Sequence, residues 1–179
     1  AGQKNSKKRT EDWLRIEKQL GIPCYYPKAG LASDRVDAAL LLGDLNYRIN
    51  GSREAVELLI REEVMQPLKN GEQLSKEIQN GFFSRYKEGS LDFVPTYRFD
   101  VGTLTYDSSK KQRIPAWTDR ILYKDPEGVL SQQSYDSVMH NTESDHKPVF
   151  SQFKLKFVTH YHPQDTIGKT KKSKACQLF

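Results

Sequence analysis

The tightest constraint on the fold comes from a short apolar run, Ala38-Ala39-Leu40-Leu41-Leu42, set between Asp37 and the pair Gly43-Asp44. The run suits a strand covered on both faces, so residues 36–42 are expected to form one. Such a strand delivers Asp44 at its C-terminal end. If the alternation continues past it, Asp44 and Asn46 point the same way.

The other apolar positions come in separated clusters and predict a mixture of helices and strands. Trp13, Ile16 and Leu20 recur among charged residues ahead of Gly21, the pattern of a surface helix over residues 6–20 closed by glycine. Ser52 can cap a helix in which Val56, Leu59, Ile60 and Val64 share one face, and a further short helix is expected over residues 73–78. Residues 93–99 are aromatic-rich with Pro95 near their start, which favours an extended segment beginning near an edge. Residues 102–113 read as a polar loop and 120–123 as a short strand. Residues 149–158 alternate, with Val149, Phe153, Leu155 and Phe157 on one face.

At 179 residues the chain can form one domain with a real core. The N-terminal Ala1-Gly2-Gln3 carries neither an initiator Met nor an apolar leader, which suggests a fragment. Cys24 and Cys176 form no disulfide framework or zinc pattern, and fit a reducing, intracellular setting. The net charge of +5 would suit nucleic acid, but it sits at the two ends: the first ten residues and residues 160–179 hold four basic residues each, leaving 20 basic against 22 acidic residues in the body. A mildly acidic body is a poor groove for a phosphate backbone, so nucleic acid is not an expected partner.

Four polar motifs fall at predicted strand ends or in connecting loops, where a rigid sheet aims side chains at one point. In Gly43-Asp44-Leu45-Asn46-Tyr47-Arg48 a carboxylate able to accept a proton is joined by a neutral hydrogen-bond donor. In Ser144-Asp145-His146-Lys147-Pro148 a histidine able to donate to a phosphoryl oxygen adjoins a carboxylate suited to a hard cation such as magnesium. Pro115-Ala116-Trp117-Thr118-Asp119-Arg120 places Trp117 for packing and Asp119 where it could orient the His146 ring and favour its imidazolium form. Finally, Tyr97-Arg98 and Lys111-Gln112-Arg113 bring hydroxyl and cationic donors to either side of a loop, a receptor for a second, non-reacting phosphate. Taken singly, each motif also reads as turn residues or solvated charge.

Their joint occurrence in order is specific. The series GDLNYRI, PTYRFD, KQRIPAWTDRIL and SDHKPV, over about residues 35–157, closely resembles the C-terminal motifs of the inositol polyphosphate 5-phosphatases. The resemblance implies an α/β (α+β) fold of the DNase-I type, a four-layer sandwich of two mixed β-sheets flanked by helices, of which residues 1–158 supply the C-terminal part. It implies magnesium-dependent hydrolysis of the 5-phosphate of phosphoinositides or soluble inositol polyphosphates. Asp44 would activate the attacking water, Asn46 would bond the phosphoryl group, and His146, backed by Asp119, would bind a non-bridging oxygen. Asp145 would lie near the metal. Tyr97, Arg98, Lys111 and Arg113 would grip the neighbouring 4-phosphate, with Arg98 standing where lysine is usual. The family's principal metal ligands, an Asn and a Glu, precede the matched region, so the chain alone is expected to have little activity.

Residues 159–179 turn polar and lysine-rich, an expected flexible tail. Its end, Cys176-Gln177-Leu178-Phe179, fits the C-a-a-X prenylation pattern, with Phe favouring geranylgeranyl. A prenyl group on Cys176 plus the preceding lysines would hold the chain at the cytoplasmic face of a membrane, beside phosphoinositide headgroups. Two alternatives stay open: a phosphodiesterase of nuclease or sphingomyelinase type on the same fold, and a membrane-tethered module that binds without turnover.

Overall fold

A computed structural model describes residues 5–22, 30–83 and 85–156. The chain runs through α1 (Ser6–Gln19), β1 (Ala39–Asp44), three short helices α2 (Arg53–Arg61), α3 (Gln66–Gly71) and α4 (Gln73–Gln79), and then β2 (Lys87–Glu88), β3 (Asp119–Lys124), β4 (Leu130–Ser137) and β5 (Val149–Leu155). β3 is central to a three-stranded antiparallel sheet of order β1-β3-β2, and β4 pairs antiparallel with β5 in a second sheet. The sheets meet where Tyr123 packs edge-on against Phe153, ring centres 5.2 Å apart. The Tyr135 hydroxyl bridges them too: it donates to Glu88 Oε1 at 2.9 Å and accepts from the Ile121 N–H at 3.2 Å.

Two apolar clusters make the core. Ile49, Val56, Leu68, Leu91, Phe93, Ala116 and Trp117 form one, and Leu41, Tyr47, Leu74, Phe83 and Leu122 the other. Trp117 is fully enclosed, and its indole N–H donates to the Phe93 carbonyl at 2.9 Å, so its polar atom is satisfied where water cannot reach. The interior also holds a buried ionic group. The Arg120 guanidinium meets Glu72 at 3.0 Å and Glu88 at 2.6 Å, with all three side chains nearly inaccessible. Glu72 also caps α4, accepting from the N–H groups of Leu74 and Ser75.

Several expectations need correction. β1 is not covered on both faces: Leu41 is buried, but Leu40 and Leu42 are 49% and 61% exposed, because no described element lies over that side of the strand. Trp13 of α1 packs against the second cluster as expected, but the fully buried positions of the helix are polar: Thr10 bonds the Tyr47 hydroxyl at 2.9 Å, and Glu17 accepts from Ser33 N–H and Tyr86 O–H, while Ile16 and Leu20 stay about half exposed. α2 is capped by Ser52 as expected, but it ends at Arg61 and the left-handed Glu63 (φ 57°) turns Val64 outward. α3 and β4 escape the periodicity reading, α3 because it is only six residues long and β4 because its sequence, LSQQSYDS, is largely polar. The β4–β5 register shifts between Gln132 and Ser134, a bulge that no hydrophobic pattern announces. β5 ends at Leu155; Phe157, Cys24, and residues 159–179 with Cys176 lie outside the described residues.

Candidate active site

The sheet ends and loops bring the four motifs together through the backbone. β1 and β3 pair so that Asp44 stands opposite Asp119. Beyond the last pair, the Thr118 carbonyl accepts from the N–H groups of Leu45 and Asn46, at 2.8 and 3.3 Å. Tyr97 exchanges two hydrogen bonds with Ala116, Lys147 N–H donates to the Thr96 carbonyl, and Phe99 N–H donates to the Asp145 carbonyl. Tyr97 therefore sits between the Trp117 segment and the His146 segment, bridged to both.

On this frame Asp44 and Asn46 do meet, by a turn rather than by continued alternation. Asp44 Oδ1 accepts from Asn46 N–H at 2.9 Å and Oδ2 from the Asn46 carboxamide at 3.1 Å, with Asn46 at φ 59° in the left-handed region that Asn tolerates. His146 Nδ1 lies 2.7 Å from Asp119 Oδ2, and Thr118 Oγ1 donates to the same carboxylate oxygen at 2.8 Å. The Asp119 hydrogen bond is the main reason that the His146 pKa stands above its ordinary value; partial burial opposes it, and the charges of Asp119, Asp44 and Asp145 add to the rise.

Sequence reasoning left Arg48 without a role of its own. Its guanidinium donates to Asn46 Oδ1 from Nε at 3.1 Å and from a terminal nitrogen at 2.5 Å, and lies 4.4 Å from the centre of the Tyr97 ring. The same ring is 4.6 Å from the His146 imidazole. The i, i+2 spacing of Asn46 and Arg48 at the end of an apolar run was the available signal.

Arg98 is half-buried and pairs with Asp145 at 3.3 Å. The loop carrying Lys111 and Arg113 is tied down beside it: Asp107 N–H donates to the Arg98 carbonyl, the Asp107 carboxylate accepts from Arg113 N–H at 2.8 Å, and Lys147 Nζ donates to the Thr103 carbonyl at 3.0 Å. α2 contributes as well, Arg53 donating to the Asp107 carbonyl. Lys111 and Arg113 themselves are exposed. Two cavities of about 530 and 510 Å³ border Ser33 and Asp34, and none of the expected site residues lines them.

A cation cage is not formed by these residues alone. Among the described residues no group of three or more His, Cys, Asp or Glu side chains could hold a metal, and Asp145 is engaged by Arg98.

The sequence profile of the endonuclease/exonuclease/phosphatase family 2 matches residues 1–152. The chain belongs to this family. Within it, the likeness is to phosphatases of inositol phosphates. The chain is 35% identical over 160 residues to phosphatidylinositol polyphosphate 5-phosphatase type IV of Rattus norvegicus, covering 83% of this chain and 25% of that protein. It is 45% identical over 127 residues to type IV inositol polyphosphate 5-phosphatase 11 of Arabidopsis thaliana, covering 68% and 38%. The chain thus spans between a quarter and two-fifths of these relatives. In three dimensions it superposes with TM-score 0.74 and 35% identity on the inositol polyphosphate 5-phosphatase domain of SPsynaptojanin, solved in complex with inositol (1,4)-bisphosphate and calcium ion, over 87% of this chain and 45% of that one. That domain carries the DNase-I-like fold expected from the motifs. A nitrophorin from Cimex, solved as a ferrous NO complex, shares the fold at TM-score 0.63 and 31% identity over 69% of this chain. Proteins that share this frame therefore differ in what they bind, and the side chains must decide.

Proposed function

We propose that this chain carries the water-activating and phosphoryl-binding half of an inositol polyphosphate 5-phosphatase acting on phosphoinositides such as phosphatidylinositol 4,5-bisphosphate or 3,4,5-trisphosphate. The observation that carries the reading is the convergence of Asp44 and Asn46 with the His146–Asp119 pair through the Thr118 segment. Asp44, exposed at the strand end, takes the proton of a water whose oxygen bonds to phosphorus as the bond from phosphorus to the ring oxygen breaks. Asn46 and protonated His146 donate to the phosphoryl oxygens on which charge builds, a task of positioning and charge stabilisation rather than covalent help. The ring oxygen leaves and takes up a proton, giving inorganic phosphate and the ring alcohol. Tyr97, Arg98, Lys111 and Arg113 receive the 4-phosphate.

Magnesium is the proposed cation, on the strength of the calcium ion in the SPsynaptojanin domain, and Asp145 is its proposed neighbour here. Geranylgeranylation of Cys176, with the lysines before it, is the proposed means of reaching the cytoplasmic face of a membrane; mass spectrometry of the protein from eukaryotic cells tests it.

The deciding experiment is phosphate release from phosphatidylinositol 4,5-bisphosphate vesicles and from soluble inositol 1,4,5-trisphosphate, with magnesium and with chelator, by the full-length protein. Asp44→Asn and His146→Ala each abolish it on this reading. Turnover that survives both changes would remove the assignment. Saturable headgroup binding with no turnover would favour the module that binds only, for which the nitrophorin likeness is a precedent of fold.

A further inference from the structure

We infer that Arg48 is a positioning residue of this site, the one that sets which end of the Asn46 carboxamide faces the phosphoryl group, and that it does so while braced on the Tyr97 ring; the inference rests on the phosphatase reading above.

An Asn side chain has an oxygen that accepts and a nitrogen that donates, nearly equal in shape, so an unrestrained amide presents either one. Only the nitrogen is useful to a phosphoryl oxygen. In the structure Arg48 occupies the other end: Nε and a terminal guanidinium nitrogen both reach Asn46 Oδ1, at 3.1 and 2.5 Å, and Nε also lies 3.3 Å from the Asn46 carbonyl. A guanidinium can only donate, so its two contacts force the acceptor end of the amide toward Arg48 and leave Nδ2 on the Asp44 side, 3.1 Å from Oδ2.

Arg48 is itself held at several points. Its guanidinium carbon lies 4.4 Å from the centre of the Tyr97 ring, a cation–π contact, and the Tyr97 ring is 4.6 Å from the His146 imidazole. Its backbone is clamped by one residue of α4, Gln73, whose side-chain oxygen accepts from Arg48 N–H at 3.2 Å and whose N–H donates to the Arg48 carbonyl at 2.9 Å. The same Gln73 oxygen accepts from Arg9 of α1 at 2.6 Å. A chain of contacts therefore runs from α1 and α4 through Arg48 to Asn46 on one side and through Tyr97 to His146 on the other. The two donors proposed for the phosphoryl oxygens are set by one guanidinium and one ring. Tyr97 on this view braces the site besides any contact it makes with substrate.

The test is a double-mutant cycle backed by a measurement that needs no turnover. Arg48→Lys keeps the charge but loses the planar fork, and lowers kcat about 10- to 100-fold with KM changed less than about twofold. In an Asn46→Ala background the same change costs nothing further, because the group it positions is gone. Unchanged kcat in Arg48→Lys and Arg48→Ala overturns the inference. So does an Arg48 effect that is fully additive with Asn46→Ala and falls on KM, which would make Arg48 a substrate ligand. The second measurement is the carboxamide resonance pair of Asn46 in ¹⁵N-labelled protein, displaced from free-amide positions and slow to exchange in the parent, and shifted to free-amide values in Arg48→Lys. An Asn46 signal that does not move in either Arg48 variant sinks the positioning role. If the full-length protein releases no phosphate, the phosphatase reading fails and the resonance pair still decides whether Arg48 sets the amide.

Discussion

The imidazole of His146 meets the carboxylate of Asp119 through Nδ1 and Oδ2 at 2.7 Å, across 27 positions of sequence. The carboxylate selects the protonation state of the ring, with Thr118 as a second donor to the same oxygen.

Its first consequence is a pH dependence. The folded imidazole keeps its proton to higher pH than the ordinary value of 6.5, so the pair's contribution to stability is complete below that value and disappears as pH rises through the elevated one. On the proposed mechanism a protonated His146 also donates to the phosphoryl oxygen, so kcat/KM is expected to fall along an alkaline limb at the raised pKa. Asp119→Asn removes the main cause of the shift and moves that limb to lower pH, with a loss of about 10- to 100-fold at the optimum. Histidine NMR titration of parent and variant, together with the rate profile, checks both parts; a limb that stays in place would show that another group titrates there.

The loop beyond Asp107 gives a prediction about specificity. Lys111 and Arg113 are exposed, yet their loop is anchored to the Arg98 backbone and to Lys147, so their removal leaves the fold intact. Lys111→Ala with Arg113→Ala lowers kcat/KM on 4,5-bisphosphorylated rings by about tenfold or more and leaves rings without the 4-phosphate almost unaffected. The ratio of the two specificity constants is the quantity to measure.

Arg120 predicts a large stability effect. With Glu72 and Glu88 both against it and water excluded, truncation strands two carboxylates in the interior. Arg120→Ala is expected to cost about 3–5 kcal/mol, read from the urea midpoint. Replacing Arg120, Glu72 and Glu88 together by apolar residues of similar volume recovers most of that loss, which separates the penalty of unpaired charge from the worth of the pairs.

Trp117 supplies the fourth test. Trp117→Phe retains an aromatic ring but leaves the Phe93 carbonyl without its 2.9 Å donor in a site that water does not enter. A loss of about 1–3 kcal/mol is expected, measured by thermal or urea unfolding.

Much of the site was readable because its residues sit beside strong local punctuation. Asp44 follows an apolar run, Asp119 opens a strand, and His146 stands three residues before one. The strand around residue 40 was read with the right polarity of ends but the wrong burial, since a continuous apolar run says that both faces can be covered and not that both are. The Arg120 group lay beyond reading: Glu72 and Glu88 are 48 and 32 residues away, and charged residues at such distances carry no pattern until the chain has folded. Arg48 was in plain view within GDLNYR, two places from Asn46 and so on its side of an extended chain, but the motif also read as turn residues and no role was drawn from that spacing. The left-handed turn at Asn46 on which the contact is made is what alternation does not foresee.

Four neighbours in the chain, from Trp117 to Arg120, divide four duties by the side to which each points: one fills the interior, one offers its carbonyl to the loop after β1, one meets the histidine, and one neutralises two acids. Deleting or adding a single residue here would rotate every duty onto the opposite side at once. Length variation among homologous chains should therefore collect in the turn between Lys124 and Leu130 and spare this stretch altogether, so that catalysis and folding are lost or inherited as a unit.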